Sequence, residues 1–166
     1  MNNVENITNS VSLGQKIAFG LGMLANQLFP ALLSIFIVVL IQDLGFNPLL
    51  YAVIAFVPRF IDALTDPLMG FISDNTKSKW GKRRQYVFVG GILTGIAFIL
   101  SWQLYPENGE TYNFWYFLIF NLIFYLGITI FGVPFVAMGY EMSENFHERT
   151  QIMAISQFIG QFAWVF

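Results

Sequence analysis

Three ionisable side chains lie on one face of an otherwise apolar stretch of the sequence. Asp62 and Asp66 are four residues apart, and Arg59 precedes Asp62 by three. These spacings place all three side chains on the same side of an α-helix. Two carboxylates so close together repel each other, and a single arginine neutralises only one of them. The pattern therefore predicts a bound cation, Na⁺ or H⁺, as the missing positive partner.

Two interpretations of this face are open. In the first, Asp62 and Asp66 are hard oxygen ligands for the cation, and Thr65 and Thr129 each could add a neutral oxygen. In the second, Arg59 and Asp62 form a structural ion pair, and Asp66 only caps the helix or carries a proton. We favour the first interpretation because ionisable residues inside a membrane are functional by default.

The elements that carry these residues are long apolar stretches. A spanning helix needs about 20 apolar residues, whereas transmembrane strands alternate in polarity over about 10 residues. The apolar stretches here are continuous and run approximately over residues 17–41, 48–73, 86–104, 114–139 and 151–166, the fifth being cut short. The expected fold is therefore all-α: a polytopic transmembrane helix bundle with four complete spans and the start of a fifth.

Composition supports the same class. The chain has 166 residues, of which 56% are hydrophobic and 11% charged, whereas about 25% of an average soluble domain is charged. Such a low share of charge argues against a soluble enzyme and against a nucleic-acid binder. The chain has no cysteine, and we find no zinc-ligand spacing, phosphate-binding glycine loop or nucleophile triad. We therefore expect neither enzymatic activity nor a cofactor.

The distribution of Lys and Arg predicts the orientation in the membrane. The loop 74–85 holds most of the basic residues, among them Lys79, Lys82 and Arg83, whereas the loops 42–47 and 105–113 hold acids and no base. Short loops rich in Lys and Arg face the cytoplasm. This rule places residues 1–16, as an amino-terminal tail, the loop 74–85 and the loop 140–150, which holds Arg149, in the cytoplasm of a multi-pass plasma-membrane protein.

Uncharged polar side chains also occur inside the predicted spans. Asn26 and Gln27 lie in the middle of the first span, and Gln157 and Gln161 lie four residues apart in the fifth. A buried amide without a hydrogen-bond partner is costly, so these residues either hydrogen-bond between helices or line a solute cavity. Gly91 and Gly95 have the spacing of small residues that allow close helix packing.

One long motif resembles a known family. The run Arg59-Phe-Ile-Asp62-Ala-Leu-Thr-Asp66-Pro67-Leu-Met-Gly70, followed by Ser78-Lys79-Trp80-Gly81-Lys82-Arg83, closely resembles the glycoside–pentoside–hexuronide:cation symporters. These are melibiose-permease-like members of the major facilitator superfamily. The resemblance implies alternating access between two six-helix halves. Residues 17–166 would then be an amino-terminal fragment, part of the first half, and the carboxy-terminal part of the chain would be missing.

The resemblance also implies functional residues. The cation-site carboxylates of the family fall on Asp62 and Asp66, and its polar cation-site positions fall on Thr65 and Thr129. The coupling ion would be Na⁺, Li⁺ or H⁺, and the solute a sugar or glycoside taken up across a membrane, by our expectation the bacterial inner membrane. No nucleic acid would be a partner.

The positions that bind the sugar in the resembled family differ in this chain. A lysine falls at Asn26, one acid at Gln27, a second acid at Gly132 and an arginine at Gln157, so all four positions have lost their charge. This pattern argues against a galactoside held by charged groups. It favours a glycoside held by amides and aromatics, or a more apolar, lysolipid-like solute. An alternative outside transport is a membrane subunit or scaffold that keeps the charged face for packing.

Overall fold

The structure of the protein is a computed structural model that describes residues 10–165, except for the side chains of residues 36, 37 and 39–41. Residues 1–9 of the predicted tail and Phe166 at the end of the fifth stretch lie outside the described residues. Between residues 10 and 165 all regular structure is helical, as predicted. The helices are α1 (Leu13–Leu44), α2 (Pro48–Asn75), α3 (Arg84–Ser101), α4 (Glu110–Tyr140) and α5 (Phe146–Gln161), with short 3₁₀ turns at Pro106–Asn108 and Phe162–Trp164.

Four of these helices are long and apolar enough to cross a membrane. Within the described part of the chain they are Leu13–Ile35 of α1, together with α2, α3 and α4. This finding confirms the predicted transmembrane bundle, and the protein is a multi-pass membrane protein. The helix α5 covers most of the fifth apolar stretch and starts ahead of it, at Phe146.

Three of the helices begin with a polar N-terminal cap, and each cap lies outside the apolar stretches. The Ser12 hydroxyl accepts from the Gln15 backbone N–H at 3.3 Å, while the Gln15 side chain accepts from the Ser12 N–H at 3.0 Å. Asn47 caps α2 ahead of Pro48, and Asn145 caps α5. Because such caps satisfy backbone donors that the first turn leaves open, α1 begins four residues before the predicted apolar stretch.

Prolines lie inside α1, α2 and α4 without ending these helices. Pro30 is inside α1, Pro58 and Pro67 are inside α2, and Pro134 is inside α4. In a membrane bundle, neighbouring helices and local adjustments compensate for the hydrogen bond that each proline removes. All three helices continue through their prolines.

The chain divides into two compact units. Residues 10–28 together with 136–165 form the terminal unit, and residues 29–135 form the central unit. In the central unit, α2 and α4 run in the same direction, because Asp66 contacts Thr129 and Gly70 lies nearest Val133. The core of this unit consists of buried apolar and aromatic residues: Leu33, Phe46, Ile54, Ala97, Phe114, Phe117, Leu118, Phe124 and Tyr125.

The helix α3 packs closely on α4 in the opposite direction. A Cβ added at Gly90 would lie 2.8 Å from the Phe131 Cα, and one added at Gly127 would lie 2.7 Å from the Thr94 hydroxyl oxygen. At Gly91 the nearest atom would be 3.8 Å away, and at Gly95 nothing lies within 4 Å. The close contact therefore uses Gly90 rather than the predicted pair, because α3 turns the face of Gly90 towards α4.

In the terminal unit, the carboxylate of Glu148 holds the start of α1. It accepts from the Ser143 hydroxyl at 2.6 Å and from the Val11 N–H at 2.7 Å, and it forms an ion pair with Lys16 at 3.5 Å. The hydrogen bond from Ser143 is the main reason why the pKa of Glu148 lies below its ordinary value, with the Val11 and Lys16 contacts adding to it. Farther along, Gly160 approaches Met23 and Gln27, so α1 and α5 also run in the same direction.

Candidate functional site

The charged face of α2 meets α4 at one threonine. Because the two helices are parallel, successive turns of α2 face successive turns of α4. Thr129 is 4% exposed and lies opposite Asp62 and Asp66, which are partly and largely exposed. A nonlocal packing contact thus brings the α4 hydroxyl to the carboxylates of α2.

Four side chains place their oxygens around this contact. The Thr129 hydroxyl oxygen is 2.9 Å from Asp66 Oδ1 and 3.3 Å from Asp62 Oδ1. It also lies 3.5 Å from the Thr65 hydroxyl oxygen, which in turn is 3.1 Å from the Ile61 carbonyl. We call Asp62, Thr65, Asp66 and Thr129 the oxygen cluster.

The oxygen cluster has more acceptors than donors. The Thr129 hydroxyl oxygen lies within hydrogen-bond distance of both carboxylates. It carries one proton, which it can donate to only one carboxylate at a time. The Thr65 hydroxyl has the Ile61 carbonyl as its nearest acceptor. Two carboxylates therefore share one good donor, and a positive charge placed among these oxygens would stabilise the arrangement.

The spacing of the oxygens suits a hard cation. Oxygen ligands at about 2.3–2.6 Å, the range of Ca²⁺, stand roughly 3.3–3.7 Å from each other when the coordination is octahedral. The Thr129 oxygen lies 3.3 Å from Asp62 and 3.5 Å from Thr65, within this range, whereas its 2.9 Å separation from Asp66 is shorter and is a direct hydrogen bond. In the part of the chain that the structure describes, no three His, Cys, Asp or Glu residues cluster as a metal site. The oxygen cluster consists of two carboxylates and two hydroxyls, which are hard donors of the kind that hard cations take.

Arg59 does not form the predicted ion pair. Its guanidinium carbon lies 5.2 Å from the centroid of the Tyr125 ring, and it has no carboxylate within 4.0 Å among residues 10–165. The parallel packing explains the difference: Tyr125 lies one turn before Thr129 on α4, as Arg59 lies one turn before Asp62 on α2. The arginine therefore meets an aromatic face, and the carboxylates meet a hydroxyl.

A small cavity adjoins Arg59 in the central unit. Its volume is about 140 Å³, and its lining combines apolar and polar side chains: Leu33, Ser34, Tyr51, Ile54, Ala55, Arg59, Asn121 and Tyr125. Asn121 is 2% exposed, and its Oδ1 has no hydrogen-bond partner within the described residues. Polar groups thus continue along α4 from the oxygen cluster through Tyr125 to Asn121.

The amides of the terminal unit form a second polar group. Gln27 donates to the Gln157 oxygen at 3.1 Å. The Gln27 oxygen accepts from Gln161 at 3.5 Å and from Trp164 Nε1 at 3.3 Å. Asn26 lies apart from these bonds, with its Oδ1 buried and without a partner among the residues described. We call Gln27, Gln157, Gln161 and Trp164 the amide cluster.

The four predicted substrate positions are distributed over both units. Gln27 and Gln157 touch each other, so the two positions that carry opposite charges in the resembled family are here a neutral hydrogen-bonded pair. Asn26 belongs to the same terminal unit, whereas Gly132 is buried in α4 in the central unit.

Comparison with known proteins gives the family. Residues 18–166 match the family described as MFS/sugar transport protein. The chain belongs to this family. This match confirms the predicted membership of the major facilitator superfamily (MFS). The prediction was based mainly on the motif of α2 and the loop that follows it.

The relatives of this MFS chain are transporters of more than one kind. It is 26% identical over 87% of its length to the inner membrane symporter YicJ of Escherichia coli, covering 31% of that protein. It is 30% identical over 94% of its length to the sodium-dependent lysophosphatidylcholine symporter 1-A of Danio rerio, covering 29%. A lactose permease of Lactobacillus helveticus is 25% identical over 89% of the chain, which covers 25% of it.

The chain therefore spans about a quarter to a third of these relatives. Two of these relatives are named symporters and the third is named a permease. They divide over the solute, since one name gives a sugar and another a lysolipid.

The basic loop of this MFS chain is less uniform than its charge pattern indicated. Lys79 and Lys82 are exposed, but Arg83 is only 7% exposed, and its guanidinium donates to the Asp74 carboxylate. Next to it, the Thr76 hydroxyl lies 2.7 Å from the Tyr86 hydroxyl. Arg83 therefore joins α2 to α3, while the two lysines remain at the surface.

The sequence interpretation missed two residues that the structure places at these sites. Tyr125 lies four residues before Thr129 and Trp164 lies three after Gln161, so each shares a helical face or turn with a residue already singled out. Aromatic residues are common throughout this chain, and only helical spacing from Thr129 and Gln161 would have distinguished these two.

Proposed function

We propose that this chain carries the cation site of a cation-coupled symporter, with the oxygen cluster holding Na⁺ or H⁺. The observation that carries the proposal is the Thr129 hydroxyl oxygen, 2.9 Å from Asp66 and 3.3 Å from Asp62 on the parallel helix. A proton needs one carboxylate, whereas Na⁺ and Li⁺ use several oxygens at once. The two added hydroxyls therefore favour an alkali cation over a proton.

The coupling would work through charge. Without a cation, the two carboxylates of α2 repel each other and share the single hydroxyl donor that Thr129 of α4 offers. A bound cation neutralises part of that charge and draws the oxygens together. If the cation-bound arrangement also binds solute more tightly, then bound solute raises the affinity for the cation by the same factor by which the cation raises the affinity for solute. This follows because coupling between sites is reciprocal.

For the solute, we propose a sugar or glycoside that the amide cluster helps to bind. Amide groups donate and accept hydrogen bonds, as hydroxylated solutes require, and the cluster lies partly exposed on α1 and α5. A lysolipid-like solute is the second candidate, favoured by the neutral Gln27–Gln157 pair and by the name of the Danio rerio relative. The protein would act in the plasma membrane, in bacteria the inner membrane, with its amino terminus in the cytoplasm.

The cation proposal is tested by Na⁺ and Li⁺ binding to the purified protein. We expect Asp62→Asn and Asp66→Asn each to weaken binding roughly 10- to 150-fold, the equivalent of one contact to a charged group at about 1.5–3 kcal/mol. Asp43→Asn is the matched control, since Asp43 is an exposed acid outside the cluster. Unchanged binding in both cluster variants would contradict the proposal.

The solute and the role of the proton are tested by uptake. Proteoliposomes of the complete protein would be given labelled lactose or lysophosphatidylcholine under a Na⁺ gradient, a pH gradient or neither. We expect one of the two labelled solutes to be taken up, driven by only one of the two gradients. This uptake should disappear in Asp62→Asn. A scaffold without transport activity predicts instead that the wild type binds no cation and that both Asp variants lose assembly.

A further inference from the structure

Arg59 has two positions available to its guanidinium. In the structure it lies over the Tyr125 ring. It is also three residues before Asp62 on the same helix, a spacing at which an arginine and an aspartate form ion pairs. An arginine that reached Asp62 would donate to its carboxylate oxygens, which are the oxygens proposed to bind the cation.

The packing of Tyr125 fixes the ring over which the Arg59 guanidinium lies. It is 8% exposed and belongs to the core of the central unit, so its ring stays in place while the exposed arginine side chain moves. A guanidinium over an aromatic face is attracted by the ring quadrupole, by more when both are shielded from water. The ring is therefore the fixed partner and Arg59 the movable one.

Open space adjoins Arg59. The cavity of about 140 Å³ is lined by both Arg59 and Tyr125, and Arg59 is exposed, so packed core does not enclose its side chain. The other polar groups that line it are neutral: Ser34, Tyr51 and Asn121. Within the described residues, the choice for the arginine is therefore between the Tyr125 ring and the Asp62–Asp66 pair.

We infer that Tyr125 is a positioning residue that keeps Arg59 away from the oxygen cluster and so prevents this internal cation from competing with the coupling cation. The inference rests on the proposed cation site and adds a determinant of its affinity. Without the ring, the guanidinium turns to Asp62, and Na⁺ must displace it before binding.

The test is a Na⁺ titration of purified Tyr125→Leu, with Tyr125→Phe as the matched control. We expect Tyr125→Leu to raise the half-saturating Na⁺ concentration about 2- to 30-fold, which corresponds to the range of measured cation–π energies. The Tyr125→Phe protein keeps the aromatic ring and should bind Na⁺ like the wild type. Unchanged binding in Tyr125→Leu would overturn the inference.

A double variant separates positioning from packing. If the loss acts through the arginine, Arg59→Gln in the Tyr125→Leu background removes the competitor and restores Na⁺ affinity. If the loss comes from a disturbed core, the double variant stays as weak as Tyr125→Leu, and the inference is wrong.

A second measurement does not depend on the Leu variant folding. In the Tyr125→Phe background, the ring at this position would be replaced by phenylalanine analogues with one, two and three ring fluorines, which weaken the ring quadrupole and keep the shape of the side chain. We expect Na⁺ affinity to fall stepwise with each fluorine. An affinity that ignores fluorination would contradict the role of the ring.

The same titrations separate failure of this inference from failure of the proposed function. Asp62→Asn is measured beside the Tyr125 variants. Loss of Na⁺ binding in Asp62→Asn together with wild-type binding in Tyr125→Leu would leave the cation site standing and remove only the role of Tyr125. A wild type that binds neither Na⁺ nor Li⁺ would overturn the present inference together with an alkali-cation site.

Discussion

The contact between α3 and α4 should make Gly90 intolerant of a methyl group. A Cβ at this position would lie 2.8 Å from the Ile130 carbonyl carbon and the Phe131 Cα, and closer still to the Phe131 nitrogen. These are backbone atoms, so no rotamer change relieves the clash. Restoring ordinary contact at 3.4 Å requires the helices to separate by at least about 0.6 Å, which close-packed interiors resist.

The expected cost of Gly90→Ala follows from two opposing effects. Overpacking costs about 1–3 kcal/mol, while alanine gains up to about 1 kcal/mol over glycine in a helix interior. Gly91→Ala and Gly95→Ala gain the helix preference without the clash, since the added Cβ meets nothing closer than 3.8 Å at either site. Gly90→Ala should therefore be about 1–3 kcal/mol less stable than these two controls.

Unfolding of the three variants in the same mixed micelles by a denaturing detergent measures this difference directly. The displacement should also reach the oxygen cluster, because Thr129 lies two residues before Phe131 on α4. Na⁺ binding should therefore weaken in Gly90→Ala and not in the controls. A Gly90→Ala protein as stable as Gly95→Ala would refute the close α3–α4 contact.

Three further predictions concern single side chains. Thr129→Val should weaken Na⁺ binding about tenfold, since it removes a ligand oxygen while the cation-free state loses only one hydrogen bond; Thr129→Ser keeps the hydroxyl and should bind within a few-fold of the wild type. The lowered pKa of Glu148 means that its bonds to Ser143 and the start of α1 stabilise the fold fully above the ordinary value of 4.5 and are lost as the pH falls through the lower, folded-state pKa. The denaturant midpoint should therefore drop more below about pH 4.5 in the wild type than in Glu148→Gln, and equal pH profiles would contradict this. Asn145→Ala should cost about 0.5–2 kcal/mol through loss of the α5 cap, seen as faster amide exchange in the first turn of α5, whereas Asn145→Ser should restore most of the protection.

Much of the candidate site could be predicted because helical periodicity is a local property. Asp62 and Asp66 share a face in any helix that contains them, and an apolar stretch without competing charge makes that face stand out. The resemblance then pointed to Thr65 and Thr129 as added oxygens. The structure brings both hydroxyls to within hydrogen-bond range of the cluster, although their role in binding a cation remains a proposal.

The partner of Arg59 could not be predicted in the same way. Its spacing from Asp62 favours an ion pair within α2, and nothing in α2 itself opposes it. Only the parallel packing of α2 on α4 brings Tyr125 opposite the arginine. The same limit applies to Gly90, because a spacing of small residues does not say which face of α3 meets its neighbour.

By itself the sequence determined the helical class, the four membrane-length spans and the charged face of α2. Each of these depends on residues close together in the chain, where hydrophobicity and the helical repeat act directly. Tertiary structure alone decided the close approach at Gly90, the meeting of Arg59 with Tyr125, the burial of Arg83 against Asp74 and the neutral pairing of Gln27 with Gln157. These contacts depend on which helices pack together and in which rotation, and that choice is made by the packing of whole helix faces rather than by any short segment.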